Sequence, residues 1–79
     1  MQNAVWQSIN YYKALSNPKR LTILKLLHKN ERSVGEIVQM LHVRQSNISQ
    51  HLIILKLAGF IGMRRNGKKV FYYLKKSII

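Results

Sequence analysis

The sequence has no cysteine, which excludes a disulfide frame, a thiolate metal site and a thiol nucleophile. Acidic residues are almost as scarce. Only Glu31 and Glu36 are present, with no aspartate at all. No paired-carboxylate mechanism can be assembled from these within one chain, and no Ser-His-Asp set exists. The three histidines, His28, His42 and His51, lie far apart in sequence without cysteine or helical carboxylate partners, so no metal site is expected. The 4 glycines sit singly at turns and form no phosphate-cradling loop. No apolar run approaches the roughly 18 residues that would span a membrane. The opening stretch MQNAVWQSIN lacks the basic start and apolar core of a signal peptide. These absences lead to the expectation of a cytoplasmic protein that is not an enzyme, needs no cofactor and has no membrane partner.

What is present is basic and apolar. The 79 residues carry 14 Lys+Arg against 2 acids, a formal net charge of +12. Hydrophobic residues make up 47%, enough for the core of one small domain and too many for a disordered basic tail. Residues 60–79 hold Arg64, Arg65, Lys68, Lys69, Lys75 and Lys76 with no acid, which is half of the net charge of +12. A surface this lopsided points to a polyanion, with nucleic acid ahead of an acidic membrane.

The apolar pattern has helical period first and strand period last. Val5, Ile9 and Tyr12 mark a first helix over residues 4–15. Asn17 and Pro18 form a capped start to a second, which runs to about His28 with a broad apolar set that predicts burial on several sides. Lys29 to Arg32 read as a polar connection. Ser33 and Glu36 spell a capping box before the stripe Val34, Ile37, Val38 and Leu41. After His42-Val43-Arg44, a fourth helix is predicted from Gln45 to Ala58, closed by Gly59 as a left-handed C-terminal residue. Phe60 to Leu74 then alternates around Asn66-Gly67, predicting a hairpin with a two-residue type I′ turn.

The expected fold class is therefore mainly α with a small β-hairpin: four helices followed by a two-stranded wing. Residues 1–79 form one domain, with a helix-turn-helix at 34–58 and a wing at 60–74. The major groove of B-DNA, about 12 Å wide, admits one helix, and the preceding helix braces it across the backbone. The Gln45–Ala58 helix suits that role. Ile48, Leu52 and Leu55 face inward at helical spacing, while Ser46, Ser49 and Gln50 lie outward with Gln45 and Asn47 beside them. These short uncharged donors and acceptors are suited to base edges. Arg44, Lys56 and the wing residues Arg64, Arg65, Lys68 and Lys69 are placed to hold phosphates, and Lys19 and Arg20 to add a contact or lie in solvent. Ile53 and Leu57 form an apolar pair on the outer side, suited to packing on the first helix or on a second protomer.

Three stretches carry a family resemblance. Ala14 to Leu24 (ALSNPKRLTIL), Gln45 to Leu52 (QSNISQHL) with Leu55 to Phe60 (LKLAGF), and the wing pieces Arg64 to Lys68 and Val70 to Leu74 follow in order at the right spacing. Together they resemble the arsenical-resistance-repressor (ArsR/SmtB) family of bacterial winged-helix regulators. The resemblance implies a homodimer on an inverted-repeat operator in double-stranded DNA, with repression of transcription. Two metal-ligand patterns of that family have no counterpart here. The stretch that would carry cysteines reads Glu31-Arg32-Ser33-Val34-Gly35-Glu36, and the sequence reaches Ile79 before a C-terminal helix with Asp, His and Glu ligands. The expectation is a regulator that is not metal-responsive, with no small-molecule inducer named by the sequence. Its dimerisation would rest on the helix at residues 1–15, through Val5, Trp6 and Ile9. Two other readings remain. One is a non-regulatory DNA binder, marking a plasmid partition site or transfer origin or acting architecturally. The other is a protein-interaction module using the Ile53/Leu57 patch.

Overall fold

Side-chain caps decide where the helices begin. In the computed structural model, which describes residues 13–75, residues 13–15 are helical and the chain then breaks at Ser16 and Asn17. The Asn17 side chain accepts from the backbone N–H groups of Lys19 and Arg20 at 2.8 and 3.3 Å, which starts helix α1, Pro18–Lys29, with proline at the first helical position. Helix α1 buries Arg20, Ile23 and Leu27 and leaves Leu21 exposed. The expected burial on several sides is thus reduced to one face, with Leu24 and Leu26 half-buried at its edges.

The polar connection expected over residues 29–32 is partly a strand. Arg32–Ser33 form β1, whose partners are Tyr72 and Phe71. A two-residue strand carries no periodicity, so only its long-range pairing reveals it. Ser33 also caps helix α2, Val34–Leu41. Its Oγ accepts from Glu36 N–H at 3.2 Å, and its own N–H donates to Glu36 Oε1 at 2.9 Å. Helix α2 ends at His42, whose φ of 56° makes it the one described non-glycine residue in the left-handed region. That geometry turns the chain sharply through Val43 and Arg44 into helix α3, Gln45–Leu57.

Arg44 occupies the N-cap of α3 without a side-chain cap bond. The other end is closed tightly. Gly59, at φ 87°, donates to Lys56 O, and Phe60 donates to Leu55 O, both at 3.0 Å. This is a Schellman closure, which needs the left-handed residue that glycine supplies without strain. Strands β2, Ile61–Asn66, and β3, Lys69–Leu74, follow as an antiparallel hairpin, and the sheet order is β1-β3-β2. Asn66 pairs with Lys69, so the two loop residues are Gly67 and Lys68 rather than Asn66 and Gly67. Only Gly67 has positive φ there, at 66°. This excludes the expected type I′ turn, which needs positive φ at both positions, and matches the glycine-first requirement of type II′.

The core gathers one face from each element. Ile23 and Leu27 of α1, Ile37 of α2, and Ile48, Leu52 and Leu55 of α3 meet Phe60 and Ile61 at the root of the hairpin. Tyr72 and Leu74 of β3 pack against this cluster. The core therefore grips α3 along one side and leaves its other side free.

Candidate nucleic-acid interface

With Ile48, Leu52 and Leu55 buried, the opposite face of α3 carries Ser46 and Gln50, both exposed. Gln45 and Asn47 flank them in solvent, and Ser49 is half-buried. Along the same outer line, Ile53 is 53% exposed and Leu57 76% exposed. Arg44 stands exposed just before the helix. Lys56 is also exposed and reaches from the C-terminal turn to the wing, its Nζ 3.3 Å from Met63 Sδ.

The wing bears Arg64, Arg65, Lys68 and Lys69, all exposed. Alternation along a strand sends Arg64 and Arg65 to opposite faces of the ribbon. Arg64 is engaged by an acid. Its Nε donates to Glu31 Oε1 at 2.7 Å and its second terminal nitrogen to Glu31 Oε2 at 2.9 Å, while its guanidinium lies 5.3 Å from the centre of the Phe71 ring. This bidentate bond holds the Glu31 carboxyl below the usual carboxylate range and raises Arg64 further. Close approach fixes the wing at a second place. A Cβ at position 62 would come within 2.5 Å of the Tyr73 ring, so Gly62 lets that ring lie across the strand.

One residue of the interface was misread from the sequence. Arg20 neither reaches for a phosphate nor lies in solvent: it is only 7% exposed. Its Nε donates to Ala14 O at 3.0 Å, one terminal nitrogen donates to Lys13 O at 2.8 Å, and the other lies 3.3 Å from His51 Nδ1. Donation to Nδ1 requires that nitrogen unprotonated, hence a neutral ring with its proton on Nε2. Burial, then the Arg20 charge, then that of Lys19, hold His51 below its ordinary pKa of 6.5. Arg20 thus joins the helical residues 13–15 to the outer helix α3. No local pattern announces this, because an arginine in the first turn after a proline looks like any solvated one.

Val5, Trp6 and Ile9, expected at a dimer interface, lie outside the described residues. Among the described residues, no three or more His, Cys, Asp or Glu side chains are grouped to hold a metal ion. Nor is any described helix long and apolar enough to cross a membrane.

Comparison with known proteins agrees with this architecture. The family model for bacterial regulatory proteins of the arsR family matches residues 17–62. The transcriptional activator HlyU of Vibrio cholerae is 43% identical over 65 residues, covering 82% of this chain and 60% of that protein. The HTH-type transcriptional repressor SmtB of Mycobacterium tuberculosis is 45% identical over 62 residues, covering 78% of this chain and 46% of that protein. The chain thus spans less than two thirds of the length of either relative. Among solved structures, the homodimeric winged helix-turn-helix DNA-binding domain of a possible ArsR-family regulator from Mycobacterium bovis superposes with a TM-score of 0.87 at 32% identity, covering 94% of this chain and 68% of that one. With its helices, its wing and its matched segment in agreement, this chain belongs to the arsR family of bacterial regulatory proteins, and its fold is the winged helix-turn-helix.

Proposed function

We propose that the chain is a sequence-specific regulator that binds double-stranded DNA as a homodimer on an inverted repeat, acts in the cytoplasm as a repressor, and does not respond to metal. One observation carries this reading: α3 is gripped by the core on its Ile48/Leu52/Leu55 side and offers Ser46 and Gln50 to solvent beside a cationic hairpin. Residues 34–58 act as the helix-turn-helix and residues 60–74 as the wing. Gln45, Ser46, Asn47, Ser49 and Gln50 read base edges, where Gln and Asn pair bidentately with adenine. Arg44, Lys56, Arg65, Lys68 and Lys69 hold phosphates. Arg64, bound to Glu31, holds the wing in place and meets the duplex second. Residues 1–15 supply the dimer contact through Val5, Trp6 and Ile9, in keeping with the homodimeric state of the similar domain from Mycobacterium bovis. A bound dimer covers its operator and excludes competing proteins, which favours repression. SmtB, among the relatives, bears the name of a repressor.

Selection from a random duplex pool, with the mass of the complex measured alongside, tests the reading. The expected result is an inverted repeat whose half-sites lie one turn apart, about 34–36 Å, bound by two chains. If each protomer neutralises about four phosphates, log K falls against log salt with a slope near −7. Gln50→Ala and Arg65→Ala should each weaken retention of the selected duplex. A slope near zero, or variants that bind like the parent, would refute the assignment.

A further inference from the structure

The outer face of α3 is polar in its first half and apolar in its second. At about 100° per residue, Ser46, Gln50, Ile53 and Leu57 lie within roughly 40° of one line along the helix. The exposures agree, since all four are open to solvent while Ile48, Leu52 and Leu55 are buried opposite. Ile53 sits about 10 Å along the axis from Ser46, roughly three base-pair steps of 3.4 Å. A duplex that meets Ser46 and Gln50 therefore also covers Ile53.

Rested on that DNA-binding reading, we propose that Ile53 reads thymine, by packing its side chain on the 5-methyl group in the major groove. The chemistry of the groove makes this selective. Thymine presents a methyl group there, and covering it with Ile53 removes apolar surface of both partners from water. Cytosine has only a hydrogen at that position, which offers less apolar surface to cover. Its N4 amino donor stands beside it where thymine has O4, so a branched hydrocarbon packed there also shields a donor it cannot satisfy. The net charge of +12 supplies the attraction that brings a polyanion onto this face, and favours a duplex over an apolar protein partner. Leu57, about 16 Å from Ser46, lies past the reach of a straight rod in a curved groove and takes no part.

The test uses the duplex selected by the wild-type chain, with each thymine of one half-site replaced in turn by deoxyuridine. This removes one methyl group and leaves the hydrogen-bonding edge intact. One position should weaken wild-type binding about fourfold, the factor for one buried carbon. Ile53→Ser should bind that uridine duplex and its parent equally, and Ile53→Val should keep the preference. Both variants change an exposed side chain, and their thermal melts report whether folding is kept. A wild-type chain indifferent to every replacement, or Ile53→Ser as sensitive as wild type, overturns the contact. Failure to retain any duplex removes the DNA-binding reading itself and the contact with it, whereas retention without methyl dependence removes only the role of Ile53.

Discussion

Arg20 and Arg64 both tie a projecting element to the body of the protein, in opposite surroundings. Arg20 is buried, bonded to two backbone carbonyls and a histidine ring, and bears on the placement of α3. Arg64 has a side chain 48% exposed, is bonded to a carboxylate that is itself 39% exposed, and bears on the placement of the wing. The acid partner is on the exposed arginine, and the buried one relies on dipoles. An exposed ion pair in water contributes little, because solvent already satisfies both charges. A buried guanidinium with each of its three nitrogens engaged is strongly coupled to its site, since its removal strands the acceptors around it. Helix α3 is thus the firmly held part and the wing the lightly held part. This division suits the roles proposed for them, α3 reading bases and the wing adapting to the phosphate backbone.

The comparison is broken most severely at Arg20. Arg20→Met should lower stability in urea by about 2–4 kcal/mol, because the carbonyls of residues 13 and 14 and His51 Nδ1 lose their donor together. Arg20→Lys should recover less than half of this, since an ammonium cannot reproduce the planar fork. A loss too small to resolve would place Arg20 with the surface arginines.

Gly62 comes next. Gly62→Ala should cost about 1 kcal/mol, because the far end of the Tyr73 ring must move aside and is exposed enough to do so. The penalty should vanish in the background of Tyr73→Ala, and a double-mutant cycle in urea checks that coupling.

Acid sharpens the contrast. The folded chain holds His51 neutral below its ordinary pKa of 6.5, so between the two values the unfolded chain binds the extra proton. Stability from this site is complete above 6.5 and is lost as pH falls through the lowered folded value. Melting curves between pH 7.5 and 5.5 should show the loss, and His51→Asn, which keeps an acceptor but cannot titrate, should flatten it. Glu31 acts in a separate and lower window, losing its contribution as pH falls below 4.5.

The smallest effect is expected at the wing pair. Arg64→Ala and Glu31→Gln should leave the denaturation midpoint within error, singly and together. Arg65→Ala should reduce the salt slope of DNA binding by about 1 per protomer site, and Arg64→Ala by less. Equal changes in slope would mean that Arg64 releases Glu31 fully when it meets a phosphate.

The placement of α1 to α3 and the hairpin was legible because each depends on neighbours in sequence. Asn17-Pro18, the Ser33/Glu36 box and Gly59 are all signals within four residues of what they govern. The outer face of α3 was legible for the same reason, since helical period fixes which residues oppose Ile48, Leu52 and Leu55. Strand β1 and the partner of Arg64 were not, because Arg32 finds Tyr72 and Glu31 finds Arg64 across more than thirty residues of chain. The one-residue shift of the turn to Gly67-Lys68 belongs with these, since the ladder from Ile61↔Leu74 outward sets which residues are left to make the bend.

By itself, then, the amino-acid sequence determined the charge, the two faces of α3 and the caps, all of which follow from composition and short-range periodicity. The tertiary structure alone decided which arginine is buried, which is paired, and that His51 is held neutral against Arg20. Those outcomes depend on desolvation and on groups meeting through space, and no local pattern of residues encodes either.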